Sequence, residues 1–532
     1  MMKKIILIVF VGVAVVSCKK SFFDINQNPN NPTAASVTAD LILPGALATT
    51  GNIVTGATYQ RFPTTPPPQV TTTTRFSMLG RWLGIWSPGT NFAASDESKY
   101  ILGTNTSSAA WRNHYDNIND YQVLQDKAAS QGQTFYVGIA KIMKAVNYHY
   151  LVDQFNNVPY NQAVNATILQ PKYDRGDSIY SKLFTEITEG INLIKNADPS
   201  ANPNLTTADI MFKGNKGKWA RFGNTLKLRL LIHESKLPNI TAIAAAQMAI
   251  INAEGSGFLA AGENATVNPG YTSANENPYW TTHLYGAGCT STPDNFNRAN
   301  NFSLNLMKGL KDVRYQYFYL PVRGISNFLT TTDPNDWKGI DYAPTNSDPN
   351  FLATKLSDIG GARTCSPSPA QQVGLGKAAT MDSWIINSYE SLFLQSEAVV
   401  LGFMAGDAQA LYKSGVTESF IWLNVTAAAA TAATYLSNSD SKIAWPAGVL
   451  AQQTVIQWQK YFSFNGNNHN EIYVDYRRLD LLTIPLSLDP GRNGKSVPVR
   501  LPYPESEYNF NNANVNAQGT IDIFTSKVFW DL

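Results

Sequence analysis

The sequence predicts a mostly α-helical protein built on helical hairpins, with long irregular loops packed around them. Three observations predict it. Several long segments repeat apolar residues at helical spacing. One of them, Ser383 to Tyr412, doubles back around Gly406-Asp407 as a helix, a turn and a second helix. Residues 256–300, 321–380 and 484–518 lie among these segments and are rich in Asn, Pro, Gly and aromatics; loops of such length inside a compact chain are usually functional or disordered, and their tryptophans and tyrosines argue for order.

The chain starts MMKKIILIVFVGVAVVS, with Lys3 and Lys4 ahead of an apolar run from Ile5 to Val16. That run is shorter than the roughly 20 residues a membrane-spanning helix needs, and a basic start followed by a short apolar segment is the layout of a secretory leader. Val15-Val16-Ser17 ahead of Cys18 resembles a bacterial lipobox, in which the cysteine becomes the lipid-bearing first residue of the mature protein. Two or three acyl chains would hold the chain on a membrane, since each buried methylene contributes about 0.8 kcal/mol and one chain alone is marginal. The expected organisation is a leader over residues 1–17, a lipid anchor and polar tether over 18–34 containing NQNPNN, and one helical domain over 35–532.

FPTTPPPQVTTTT (Phe62 to Thr74) must be loop or extended chain, because proline lacks a backbone donor and restricts the residue before it. Helices follow. Phe135, Ile139, Ile142, Val146, Tyr150 and Phe155 share a face; Ile179, Leu183, Ile187, Ile191 and Ile194 share another, with Asp177 or Ser178 as the cap. Trp219, Phe222, Leu226 and Leu230 mark a third helix, and a fourth from Ile240 ends at Gly255. In the pair from Ser383 to Tyr412, small residues Ala398, Gly402 and Ala405 allow close approach, and the unit resembles a tetratricopeptide-type hairpin without its full consensus.

Net charge is +2, from 41 basic and 39 acidic residues, and 15% of residues are charged. That is low against about 25% in an ordinary domain, and there is no basic excess for nucleic acid to meet. Cys289 and Cys365 could pair outside the cytoplasm, but their spacing alone leaves the bond open. The rival class is a lipid-anchored hydrolase. Glu390 and Glu397 stand seven apart on one helix and so on one face, and glycoside hydrolysis uses two carboxylates, but within a scaffold helix such residues more often bond polar neighbours. DPGRNGKS (Asp489 to Ser496) has Asp489 where a phosphate loop needs its first glycine, so it reads as a turn. The histidines His114, His149, His233, His283 and His469 have no metal-ligand spacing, and no Gly-x-Ser-x-Gly elbow occurs.

Several segments together resemble the SusD/RagB family of Bacteroidetes outer-membrane lipoproteins, in its SusD-like second subgroup. They are Cys18 with FFDINQNPNNP, HYLVDQFNNVPY (His149 to Tyr160), KWARFGNTLKLRL (Lys218 to Leu230), NENPYW (Asn275 to Trp280), SYESLFLQSEAVVLG (Ser388 to Gly402), YKSGVTESF (Tyr412 to Phe420) and VPVRLPYPESEYNFNN (Val497 to Asn512). The resemblance implies four tetratricopeptide-like hairpins with the irregular segments as a ligand-binding face. It implies capture of an oligosaccharide, or of peptides or other nutrients, without catalysis, cofactor or metal. It also implies a TonB-dependent outer-membrane transporter as partner.

A sugar-binding surface needs aromatic faces against the C–H faces of the ring and amides or charged groups for its hydroxyls. RFSMLGRWLGIWSPGTNF (Arg75 to Phe92) offers Trp82 and Trp86 one helical turn apart, with Asn91 following. NENPYWTTHLYG offers Tyr279 and Trp280, and DWKG offers Trp337. The competing reading of every tryptophan is core packing.

Overall fold

The computed structural model describes residues 37–57, 75–289, 294–345 and 348–532. Cys18, the leader, the tether and the proline-rich run lie outside the described residues. Among the described residues, the helices of eight or more residues are α1 Ala39–Thr55, α2 Arg75–Trp82, α3 Ser108–Ser130, α4 Thr134–Phe155, α5 Gly176–Lys195, α6 Lys216–His233, α7 Ile240–Glu254, α8 Asn301–Gly309, α9 Ser388–Val400, α10 Ala408–Trp422, α11 Ala428–Leu436, α12 Val449–Ser463 and α13 His469–Leu479. The strands are short and pair antiparallel: β1 Trp86–Ser87 with β5 Arg298–Ala299, β2 Val158–Pro159 with β3 Tyr173–Asp174, and β4 Ala265–Val267 with β6 Ser383–Ile386.

Helical periodicity explains the scaffold. α5 buries Ile179, Leu183, Ile187, Ile191 and Ile194 on one side, as their spacing predicts. α4 is buried nearly all round, which a helix tolerates only in the middle of a bundle. It packs on α3 and α5, and α5 packs on α6. Where α4 crosses α5 the backbones touch: a Cβ on Gly138 would lie 2.6 Å from the Gly190 carbonyl oxygen, and one on Gly190 2.8 Å from that of Gly138. The predicted pair α9 and α10 packs together, with Gly415 giving room to the Phe393 ring. Among the described residues no helix is long and apolar enough to cross a membrane.

Two local expectations change. Ser383–Ile386 is strand, not the start of a helix; it is buried on both faces, pairs with β4, and helix begins only after Asn387. The cap of α5 is Arg175, with Asp177 inside the first turn and bonded back to Arg175 at 2.7 Å. Gly255 does close α7, in the left-handed region at φ 84°.

A buried ionic network joins α4, α6, α9, α12 and α13. Arg229 donates to Glu390 and stands 3.7 Å from Glu471, while His233 bonds Glu471 at 2.9 Å and faces Asp153 at 3.3 Å. Beside it, Arg478 bonds both Glu397 and Asp475 at 2.8 Å, and Lys460 bonds Asp475 at 2.6 Å. Glu390 and Glu397 are 2% and 0% exposed. Their oxygens meet arginines and amides of the scaffold, Asn468 with Glu390 and Gln453 with Glu397. Burial works against charge on His233, but Glu471 and Asp153 outweigh it and hold its pKa at about 9, so the ring carries a proton at neutral pH. Burial, with Arg229 nearby, pushes His149 down to about 3 and keeps it neutral. All five histidines are buried.

Candidate ligand-binding cleft

α2 ends at Trp82 because Gly84 takes φ 68°. The Ile85 amide bonds the Gly80 carbonyl at 2.9 Å and the Gly84 amide that of Arg81 at 3.3 Å, a glycine-terminated helix end. The chain turns there into β1, whose pairing with β5 sets Trp86 opposite Ala299 and Ser87 opposite Arg298. This register brings the loop after β1 beside the loop before β5, two segments some two hundred positions apart in the chain.

Phe92 and Phe296 come from these two loops and meet edge to face, their ring centroids 4.8 Å apart. Both are half-buried. The Arg81 guanidinium lies 5.1 Å over the Phe296 ring. Its Nε and Nη2 donate to the two oxygens of Glu97 at 2.6 Å each, and Nη1 donates to Asn297 Oδ1 at 2.6 Å. Tyr342 donates its hydroxyl to Glu97 at 3.1 Å. Pro88, Gly89, Ala343 and Pro344 supply apolar wall, and Ser98, bonded at 2.7 Å to Asp489, supplies a polar edge. These groups enclose a cleft of about 400 Å³.

The loops are held firmly. The Asp294 carboxylate accepts from the amides of Phe296 and Asn297 at 3.1 and 2.8 Å and pairs with His283 at 3.0 Å. Burial raises the pKa of Asp294, but His283 and Asn297 more than offset it and keep the group ionised. Asn91 is exposed, and its Oδ1 accepts from the Ala353 amide at 2.8 Å. Thr90 reaches the same region through Phe351 and Asp348. Cys289 and Cys365 are disulfide-bonded, tying the segment ahead of the Phe296 loop to residues near Ala362.

The aromatic residues expected from the sequence to meet a ligand lie in the core. Trp82, Trp86, Trp280 and Trp337 are 0–1% exposed and Tyr279 is fully buried. Trp82 and Trp86 are not a helical turn apart, since the helix stops between them. Trp86 packs on Phe76, His469 and His283; Trp82 on Tyr100; Trp280 on Tyr285. Tyr279 donates to the Gly466 carbonyl at 2.9 Å, and Trp337 to that of Tyr319 at 2.8 Å. Large indoles surrounded this completely present no face to a ligand, so they carry the loops from behind. Asn91 stays at the surface beside Thr90 and Phe92, both of which line the cleft. Arg81, Phe92, Phe296 and Tyr342 were not singled out; a phenylalanine directly after the turn residues SPGTN was the available signal. Among the described residues no group of three His, Cys, Asp or Glu could hold a metal ion.

A model of the SusD-like family, described as starch-binding and associating with the outer membrane, matches residues 49–504. The chain belongs to this family. No curated protein matches it. Solved SusD-like structures share its fold over nearly the whole chain. A chitin-binding SusD homologue from Flavobacterium johnsoniae is 20% identical, with 92% of this chain and 98% of that one covered and a TM-score of 0.73. A SusD homologue from Bacteroides fragilis is 18% identical over 93% and 99%, with a TM-score of 0.70. A SusD/RagB family protein from Bacteroides thetaiotaomicron is 19% identical over 93% and 99%, at 0.66. The helical scaffold of this SusD-like chain is therefore that of its family, and the loops around Phe92 and Phe296 are borne on it.

Proposed function

We propose that this SusD-like protein is a nutrient-binding lipoprotein of the outer membrane, anchored through Cys18. It captures an oligosaccharide in the cleft between Phe92 and Phe296 and passes it to a TonB-dependent transporter. The observation that carries this reading is the aromatic pair at the mouth of a cleft whose charged groups are already matched. Arg81 is taken up by Glu97 and Asn297, and Asp489 by Ser98 and the Gly491 amide at 2.8 Å. A cleft with paired charges and half-buried rings favours a neutral polar ligand, whose C–H faces cover the rings while its hydroxyls meet Thr90, Ser95 and Ser98. The chitin-binding relative supports a glycan as the ligand class. The proposed organisation keeps residues 1–17 as leader, 18–34 as anchor and tether, and 35–532 as the binding domain.

A glycan array followed by calorimetry on protein lacking residues 1–18, with analysis of the recovered sugar, tests the reading. The expected result is saturable binding of a neutral oligosaccharide that is recovered intact. Cleaved product would support the hydrolase instead, and failure of every glycan with capture of a peptide would move the ligand class.

A further inference from the structure

A second cavity, of about 660 Å³, lies in the helical scaffold between α3, α4, α5 and the loop at 160–166. α4 presents Lys141, Lys144 and Tyr148 to it, at spacings that put them on one face. Tyr160 stands edge-on to Tyr148, their centroids 4.6 Å apart. Lys141 is satisfied, with Glu186 and Glu189 each at 2.9 Å. Lys144 is different. It is half-buried, it has no carboxylate within ion-pair distance among the described residues, and its ammonium donates at 2.8 Å to Gln122 Oε1. Gln122 is fixed in that orientation because its amide nitrogen donates to Asp126 at 2.8 Å. The hydroxyls of Tyr148 and Tyr160 line the same cavity and make no hydrogen bond to the described residues. Lys144, Tyr148 and Tyr160 therefore line one polar space as donors, beside the carboxylates of Asp126 and Glu186, which are engaged by Gln122 and Lys141. Val164, a β-branched residue at φ 50°, shapes the loop that closes it.

We propose that this groove is a second ligand site, which binds the carboxylate of a small polar molecule on Lys144, with the Tyr148 and Tyr160 hydroxyls as further donors. A charge-assisted bond from a half-buried ammonium is the strongest contact the groove offers, and the remaining capacity of Lys144 is for acceptors alone. Asn119 and Asn165 at the rim serve the polar remainder of the ligand. A sugar acid and a peptide terminus carry the same group, so both are probed.

The test is calorimetric titration of the full chain in detergent with glucuronate, with N-acetylglycine, and with glucose as the neutral control. At least one of the two acids is expected to bind saturably and glucose not at this site; the stronger acid names the source. Lys144→Met should weaken that acid about tenfold or more, as loss of a charged hydrogen bond does. Tyr148→Phe, which keeps the packing, should weaken it less, and Phe296→Ala should leave it unchanged. Glucose binding that Lys144→Met weakens as much as it weakens the acids, unchanged affinity for the acids in Lys144→Met with an unaltered melting temperature, or no saturable binding of either acid would overturn the proposal. The neutral-glycan cleft stands or falls separately, through Phe296→Ala.

Discussion

Arg229→Met is expected to lower the unfolding free energy by about 3–5 kcal/mol, the cost of breaking a buried ion pair by removing one partner. The guanidinium is fully buried, donates to Glu390 and lies 3.7 Å from Glu471. Methionine replaces its volume but leaves two carboxylates facing each other in the core. Burial alone raises the pKa of Glu390, and the neighbouring Glu471 raises it further once Arg229 no longer opposes both. Glu390→Gln should cost less, about 1–3 kcal/mol, because Arg229 keeps Glu471 and a neutral amide still accepts its proton. Urea unfolding of both variants measures this. Neither should change ligand affinity, since none of these residues lines the cleft. A loss below about 1 kcal/mol for Arg229→Met would mean that the network is hydrated or open, contrary to its burial.

Trp86→Ala should cost about 3–5 kcal/mol of stability, as truncating a large core aromatic does. The indole is 0% exposed and touches Phe76, His469 and His283. The strand that carries it also aims the loop of Phe92, so some loss of affinity should follow the loss of stability. Thermal melts paired with ligand titration separate the two. An unchanged melting temperature with affinity lost would put Trp86 on the surface, as its place in RFSMLGRWLGIWSPGTNF first suggested.

The scaffold was legible because α4, α5, α6 and the α9–α10 pair carry their period in sequence, and Gly255 and the 401–407 link carry the stops. Ser383–Ile386 was misread because four consecutive apolar or small residues running into a helix have no period of their own. Only pairing with Ala265–Val267, more than a hundred positions away, makes them strand. The cleft was hidden for the same reason on a larger scale. Phe92 and Phe296 are neighbours only through the β1–β5 register, and Tyr342 reaches them only through Glu97. Tryptophan was a poor guide because its size is what the core of a charge-poor chain needs, so it packs beneath the loops while the smaller phenylalanines form their rims.

We propose that the cleft between Phe92 and Phe296 holds the ligand. The most direct test is calorimetric titration of Phe296→Ala and wild type with the oligosaccharide selected by the glycan screen, alongside thermal melts of both. The half-buried ring predicts a loss of about 1–3 kcal/mol in affinity, the range of an aromatic anchor, with the melting temperature nearly unmoved. Equal affinities for the two proteins would contradict the claim.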